Sequence, residues 1–152
     1  MVVPLLALPD SRAIMQSMAD HGIVVRRAKS IEMSLVCDFV NHHWEYWTDE
    51  VHTAFSGSPT RVFVATSQGT PVGFSAYDVD YLGVFGPTGV DPAQQGRGIG
   101  AALLLRCLEA MREAGYLYAI IGAVGPADFY NRVAGAISLP REWPNFTDPD
   151  QG

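Results

Sequence analysis

The sequence predicts one α/β domain built on a mixed central sheet flanked by helices, and three observations carry that prediction. The first half is rich in hairpin signals, a long helical pattern begins at Gly98, and an almost continuous apolar run, Tyr116 to Val124, follows it. Helices alternating with strands, but with hairpins in front, point to a mixed sheet rather than a uniform series of βαβ units. A chain of 152 residues makes one ordinary domain, and a domain of that size buries about 70% of its unfolded surface. Its 48% hydrophobic and 17% charged residues, with 7 Phe, 6 Tyr and 3 Trp, suit a packed interior and exclude disorder.

From the N-terminus, Asp10-Ser11 precede Ile14, Met15 and Met18, the apolar side of a short helix ending near His21-Gly22. Ile23-Val24-Val25 is a strand. Ser30, with Glu32 in the first turn, opens a second helix in which Leu35, Val36, Phe39 and Val40 fall at helical spacing. A third helix covers Glu45 to Phe55. Arg61 to Ala65 and Pro71 to Tyr77 pair through Ser67-Gln68-Gly69-Thr70, and Tyr81 to Val90 is a further extended run weakened by Gly83, Gly86 and Pro87. Beyond Gly98, residues Ile99, Leu103, Leu104, Cys107, Leu108 and Met111 trace one helical face while Arg106, Glu109 and Glu113 lie off it. Gly115 takes the C′ position. The run Tyr116 to Val124 predicts a strand buried on both faces, and Gly125-Pro126 opens a last short helix. Residues 1–21 form an N-terminal extension with a short helix, and residues 22–152 the main domain.

Charge narrows the partners. Sixteen acidic against ten basic side chains give a net charge of −6, and Lys29 is the single lysine. A binder of phosphate backbones or anionic membranes needs the opposite balance, so neither nucleic acid nor membrane is an expected partner, while a cationic small molecule is compatible. Cys37 and Cys107 sit in apolar helical patterns and are expected as reduced core thiols. The apolar start, Met1 to Leu8, lacks the basic flank of a secretory signal and is broken by Pro4. With no run of membrane-spanning length, a cytoplasmic protein is expected.

The chemistry is concentrated in Gly89-Val90-Asp91-Pro92-Ala93-Gln94-Gln95-Gly96-Arg97-Gly98-Ile99-Gly100-Ala101, a strand end followed by glycines that open a long helix. Glycine lets backbone amides approach a ligand, and the first amides of a helix lack internal partners, so an anion fits there. A P-loop would need Lys-Ser or Lys-Thr after the glycines, and no lysine is near. Gly96-x-Gly98-x-x-Ala101 matches a dinucleotide fingerprint literally. Yet Asp91 to Gln95 separate it from the strand, and the expected acidic residue falls near Tyr118.

Gln95-x-x-Gly98-x-Gly100 resembles the pyrophosphate-binding signature of the GNAT superfamily of N-acetyltransferases. The context is similar too: Val90-Asp91-Pro92 before it, a helix over Ile99 to Ala114, the run Tyr116 to Val124, then Phe129-Tyr130 on a short helix. The likeness runs from Gly89 to about Gly135 and extends back to Val24-Val25-Arg26, with no counterpart before His21. It implies a mostly antiparallel sheet and acetyl-CoA as co-substrate, without a metal. The pyrophosphate would lie on Gly96, Gly98, Gly100 and Ala101, with Gln95 and Arg97 adding side-chain contacts and Gly89 and Val90 close to the thioester. Tyr130 would be the catalytic acid at the CoA sulfur.

One departure stands out. Many members carry a glutamate on the strand before the signature, and this chain has Phe85-Gly86-Pro87-Thr88 instead. Asp78, Asp80, Glu45, Asp49, Glu50 or His52 would have to serve as base. His42-His43 are adjacent on a helix and do not face one another. Trp44 and Trp47 have the spacing of an acceptor wall or of simple core, and Trp143 is expected to pack on the domain surface.

The expected function is acetyl transfer from acetyl-CoA to the amine of a small molecule or peptide by direct attack in a ternary complex. A homodimer is a further possible partner. The rival is a non-catalytic acyl-CoA-binding or regulatory module, or one half of a tandem acetyltransferase.

Overall fold

In the computed structural model, which describes residues 1–122 and 124–140, Val2–Pro4 (β1) and a 3₁₀ turn lead into helix α1, Arg12–Asp20. Asp10 Oδ1 accepts the Arg12 N–H, and Ser11 Oγ turns away to donate to Glu109. Strand β2, Ile23–Arg27, is followed by helices α2, Met33–Trp44, and α3, Thr48–Phe55, joined through the 3₁₀ turn Glu45–Trp47. At the start of this helical pair Glu32 accepts the Lys29 N–H at 2.7 Å, while Ser30 makes no capping bond.

The expected hairpin joins β3, Val62–Ser67, to β4, Thr70–Tyr77. Its two turn residues, Gln68 and Gly69, both have positive φ, 48° and 81°, the conformation whose twist matches paired strands. Strand β5, Val84–Val90, leads through the glycine-rich loop into α4, Ile99–Glu113; β6, Tyr118–Ile121, and α5, Ala127–Ala134, complete the elements.

The sheet runs β1-β6-β5-β4-β3-β2, antiparallel throughout except for β5 with β6. Segment 1–21 is thus more than an extension with a helix. Its β1 pairs with β6, its Val2 also exchanges two backbone bonds with Ile137, and Val3, Leu5 and Met18 are buried in the main core. One apolar cluster packs the sheet against α4, the other against α2 and α3. Gly73 lets α4 approach β4: a Cβ there would lie 2.9 Å from Leu103 Cδ1 and 3.2 Å from the Gly89 carbonyl.

The expectation of a strand buried on both faces over Tyr116 to Val124 is not met. β6 is four residues long and alternates, with Ala119 and Ile121 inside and Tyr118 and Ile120 outside. Among the described residues no helix covers its outer side, so the uniform apolar composition does not reflect two-sided burial. Trp143 lies outside the described residues.

Candidate active site

Strands β5 and β6 pair only at Val84 with Ile120 and Phe85 with Ile121, and then part. The gap between them positions the site. On the other side of β5, the Asp91 N–H donates to the Val72 carbonyl at 3.0 Å. Antiparallel alternation then makes Gly89 and Phe74 the bonded pair and turns the backbone groups of Thr88 and Val90 towards the gap. The Gln95 Nε2 contact to the Val90 carbonyl at 3.3 Å agrees.

Gly89 therefore contributes differently from Val90. Its amide belongs to the ladder, and its missing side chain makes room for the protein: a Cβ would stand 2.6 Å from Trp44 Cη2. Trp44, stacked near Phe74 and Trp47, is a packing residue.

The loop after β5 forms a groove of about 600 Å³ lined by Val90, Gln95, Gly96, Gly98, Gly100 and Ala101, with Phe129, Tyr130, Arg132 and Val133 opposite. Gly96 and Gly98 have φ of 78° and 83°, conformations that side chains resist. The first intrahelical bond of α4 is Ala102 N–H to the Gly98 carbonyl, which leaves the amides of Ile99, Gly100 and Ala101 without a helical partner. A Cβ on Gly100 would meet Val90 and Phe129, two groove walls, at 3.6 and 3.8 Å, whereas one on Gly98 would point at Met18 and Ile14. Arg97 is turned to Gln94 Oε1 and does not line the groove. Arg132, one turn of α5 beyond Phe129, does, and sequence reading missed it because only folding brings it across from the loop.

A second cavity of about 560 Å³ fills the gap between β5 and β6, bounded by Trp47, Glu50, Asp80, Tyr81 and the strand residues from Val84 to Thr88. Of the acidic residues considered as bases, only Glu50 and Asp80 line it. Asp78 is held instead by the Tyr116 hydroxyl at 2.9 Å and the Gly83 N–H at 2.7 Å. Glu45, Asp49 and His52 are exposed elsewhere. Burial, and then the charge of Asp80, pushes the Glu50 carboxyl above its usual range.

Tyr130 lines both the groove and the cavity. Its ring is 7% exposed and meets Phe85 and Phe129 edge-on, and burial raises its phenol above the usual value. Both cysteine thiols are also raised by burial, Cys107 far more than the half-buried Cys37. Neither is prepared as a nucleophile.

The acetyltransferase (GNAT) family model matches residues 29–137. The chain belongs to the GNAT family. None of the curated proteins matches it. Among solved structures, the glucosamine N-acetyltransferase region of a fungal multi-domain β-N-acetylglucosaminidase is similar at a TM-score of 0.73 and 20% identity, over 88% of this chain and 19% of that one. A GCN5-related N-acetyltransferase from Sphaerobacter thermophilus gives 0.58 and 20%, over 74% and 40%. A GNAT acetyltransferase from Brucella melitensis, in complex with acetyl-CoA, gives 0.56 and 22%, over 79% and 92%. The chain thus spans less than half the length of the first two. At these identities the likeness is one of fold, the mixed GNAT sheet flanked by helices. Among the described residues no helix is long and apolar enough to cross a membrane, and no cluster of three or more His, Cys, Asp or Glu could hold a metal ion.

Proposed function

We propose that the protein moves the acetyl group of acetyl-CoA to an amine of a small molecule or peptide, by direct attack with both substrates bound. The observation that carries this reading is Tyr130 at the junction of groove and cavity, where two substrates can meet. The groove fits the CoA pyrophosphate, because its unpartnered amides and positive-φ glycines offer donors with no side chain in the way. Gln95, Gly96, Gly98, Gly100 and Ala101 would hold it, with Arg132 adding a positive charge.

When bound, acetyl-CoA supplies an acetyl thioester, the electrophile. The N–H groups of Thr88 and Val90, turned into the gap, suit the carbonyl oxygen where negative charge develops. An amine attacks only after losing a proton, and Glu50, with its raised proton affinity, is the carboxylate in the cavity suited to accept it. Tyr130 stays protonated and can donate to the departing sulfur. With reference values of about 8.5 for a thiol and 10 for a tyrosine, full transfer is uphill by roughly 2 kcal/mol, and burial of Tyr130 acts in the same direction, so a donated hydrogen bond is the role that fits. The raised thiols of Cys37 and Cys107 weigh against an acyl-enzyme route.

Calorimetric titration with CoA, followed by acetyl-CoA turnover against a broad amine panel, tests the reading. Binding together with amine-dependent CoA release supports it. Binding without transfer to any amine assigns a CoA-binding role without catalysis, and absence of binding removes the groove from the site.

A further inference from the structure

The cavity between β5 and β6 carries charge of one sign. Glu50 lies within it, half-buried on α3, and Asp80 stands exposed at its mouth in the connection from β4 to β5. Among the described residues that line it there is no Lys, Arg or His. The ion pairs among the described residues, Asp10 with Arg12, Arg26 with Glu32 and Arg106 with Glu109, all lie elsewhere. Both carboxylates therefore face the cavity without a cationic partner from the described protein. Most of the other side chains are apolar or aromatic, with Trp47 and Tyr81 beside the acids. Glu50 and Asp80 are within electrostatic range, since the charge of one raises the proton affinity of the other.

We infer that the acceptor is a diamine or polyamine, its reacting nitrogen at Glu50 and a second ammonium group held by Asp80. The inference rests on the acetyltransferase reading above. In the reaction the nitrogen at Glu50 gives one proton to that carboxylate and attacks the thioester carbonyl. The new C–N bond forms, the C–S bond breaks with its electron pair leaving on the CoA sulfur, and the second proton shed by the nitrogen ends on that thiolate, which Tyr130 hydrogen-bonds. A monoamine then leaves Asp80 uncompensated, while a second ammonium, with an ordinary pKa near about 10, remains charged and paired. The rings of Trp47 and Tyr81 add cation–π attraction for such a group. An acceptor bearing a carboxylate meets two like charges and no counter-ion, so amino acids are disfavoured.

The test uses the CoA-loaded protein with two probes of equal length, a straight-chain diamine and the amino alcohol that replaces one ammonium with a hydroxyl. Calorimetry should give at least about tenfold tighter binding of the diamine, which corresponds to 1.4 kcal/mol. In Asp80→Asn the gap should shrink to about threefold or less, and 1 M salt should shrink it in the wild type through screening at about 3 Å. Circular dichroism establishes that the variant is folded. Equal affinity of the two probes, or a gap unchanged in folded Asp80→Asn, overturns the inference while leaving acetyl transfer standing. Failure to bind CoA in the first titration overturns the acetyltransferase reading itself.

Discussion

Trp44 packs on the backbone of Gly89 so closely that a Cβ at Gly89 would stand 2.6 Å from its Cη2 and 2.8 Å from its Cζ3. The indole thereby wedges α2 against the strand that borders both cavities. Gly89→Ala should destabilise the fold by about 1–3 kcal/mol, the range for overpacking a core. Part of that loss should vanish in a Trp44→Leu background. Urea unfolding of the four proteins in the cycle measures the coupling, and strict additivity would mean that the two residues do not share the space.

Gly100 gives a graded test of the groove. Its Cβ would meet Val90 and Phe129 at ordinary contact distance, so Gly100→Ala should bind CoA within about threefold of wild type, since small non-clashing changes cost little. The branches of valine reach further into the groove, and Gly100→Val should weaken CoA by at least about tenfold through loss of one charge-assisted bond. Calorimetry on folded variants decides it. Gly98→Val is a poorer probe, because its Cβ points at α1 and its φ of 83° makes any side chain strained.

Tyr130→Phe keeps the ring contacts to Phe85 and Phe129 and removes only the hydroxyl. CoA affinity and melting temperature should be nearly unchanged, while kcat falls by about tenfold to a hundredfold if chemistry limits turnover. Single-turnover rates equal to wild type would exclude the acid role. A drop in stability matching the drop in activity would make Tyr130 a packing residue.

Glu50 should betray itself through pH. Its folded pKa lies above the ordinary 4.5, so kcat/KM should rise with pH through a point higher than that value as the base ionises. Glu50→Gln should lower kcat by about a hundredfold or more and abolish this limb. Stability should move the other way. A raised folded pKa means that the folded state holds the proton more tightly, so ionised Glu50 costs stability above that pKa and the cost disappears below the unfolded one. Glu50→Gln should therefore melt higher than wild type at pH 7, by an amount that shrinks towards pH 4. Equal melting at both pH values would remove the electrostatic cost.

Much of the framework is legible in the sequence where the signal is local. The β3–β4 turn needs positive φ at two successive residues, and Gln68-Gly69 supply it. The α4 stripe from Ile99 to Met111 is apolar at helical spacing and is the side that is buried. The loop from Gln95 to Ala101 shows its path in its glycines, since Gly96 and Gly98 hold positive φ that side chains resist. Legibility fails where partners are distant. Nothing near Met1 shows that Val2–Pro4 will find β6, because both strands are short and their complementarity is only apolar. Glu50 and Asp80 look like solvated surface acids until the gap after Phe85 gathers them around one cavity. Gly89 is ambiguous in the same way: its sequence position fits a ligand, and only the packing of α2 reveals the indole against it.

The seam between β1 and β6 sets a folding order. The Met1 amino group and the Ile121 carbonyl, 2.9 Å apart, are separated by 120 positions along the chain. Contacts of such long range must wait for the rest of the chain to collapse, and they slow folding more than they cost in equilibrium stability. A strand of three residues offers little area to nucleate on. It should dock after the β3–β4–β5 meander and α4 have assembled, and in the native state it should be first to detach. Amides of Val3 and Ala119 should then exchange with solvent through a local opening, well before those of Val64 and Phe74. The groove contains no residue of β1 or β6, so edge fraying at β1 can occur without dismantling it. Ile121, the residue that Met1 holds, instead lines the cavity, so β1 acts as a latch on that one wall and its release would loosen the cavity before the groove.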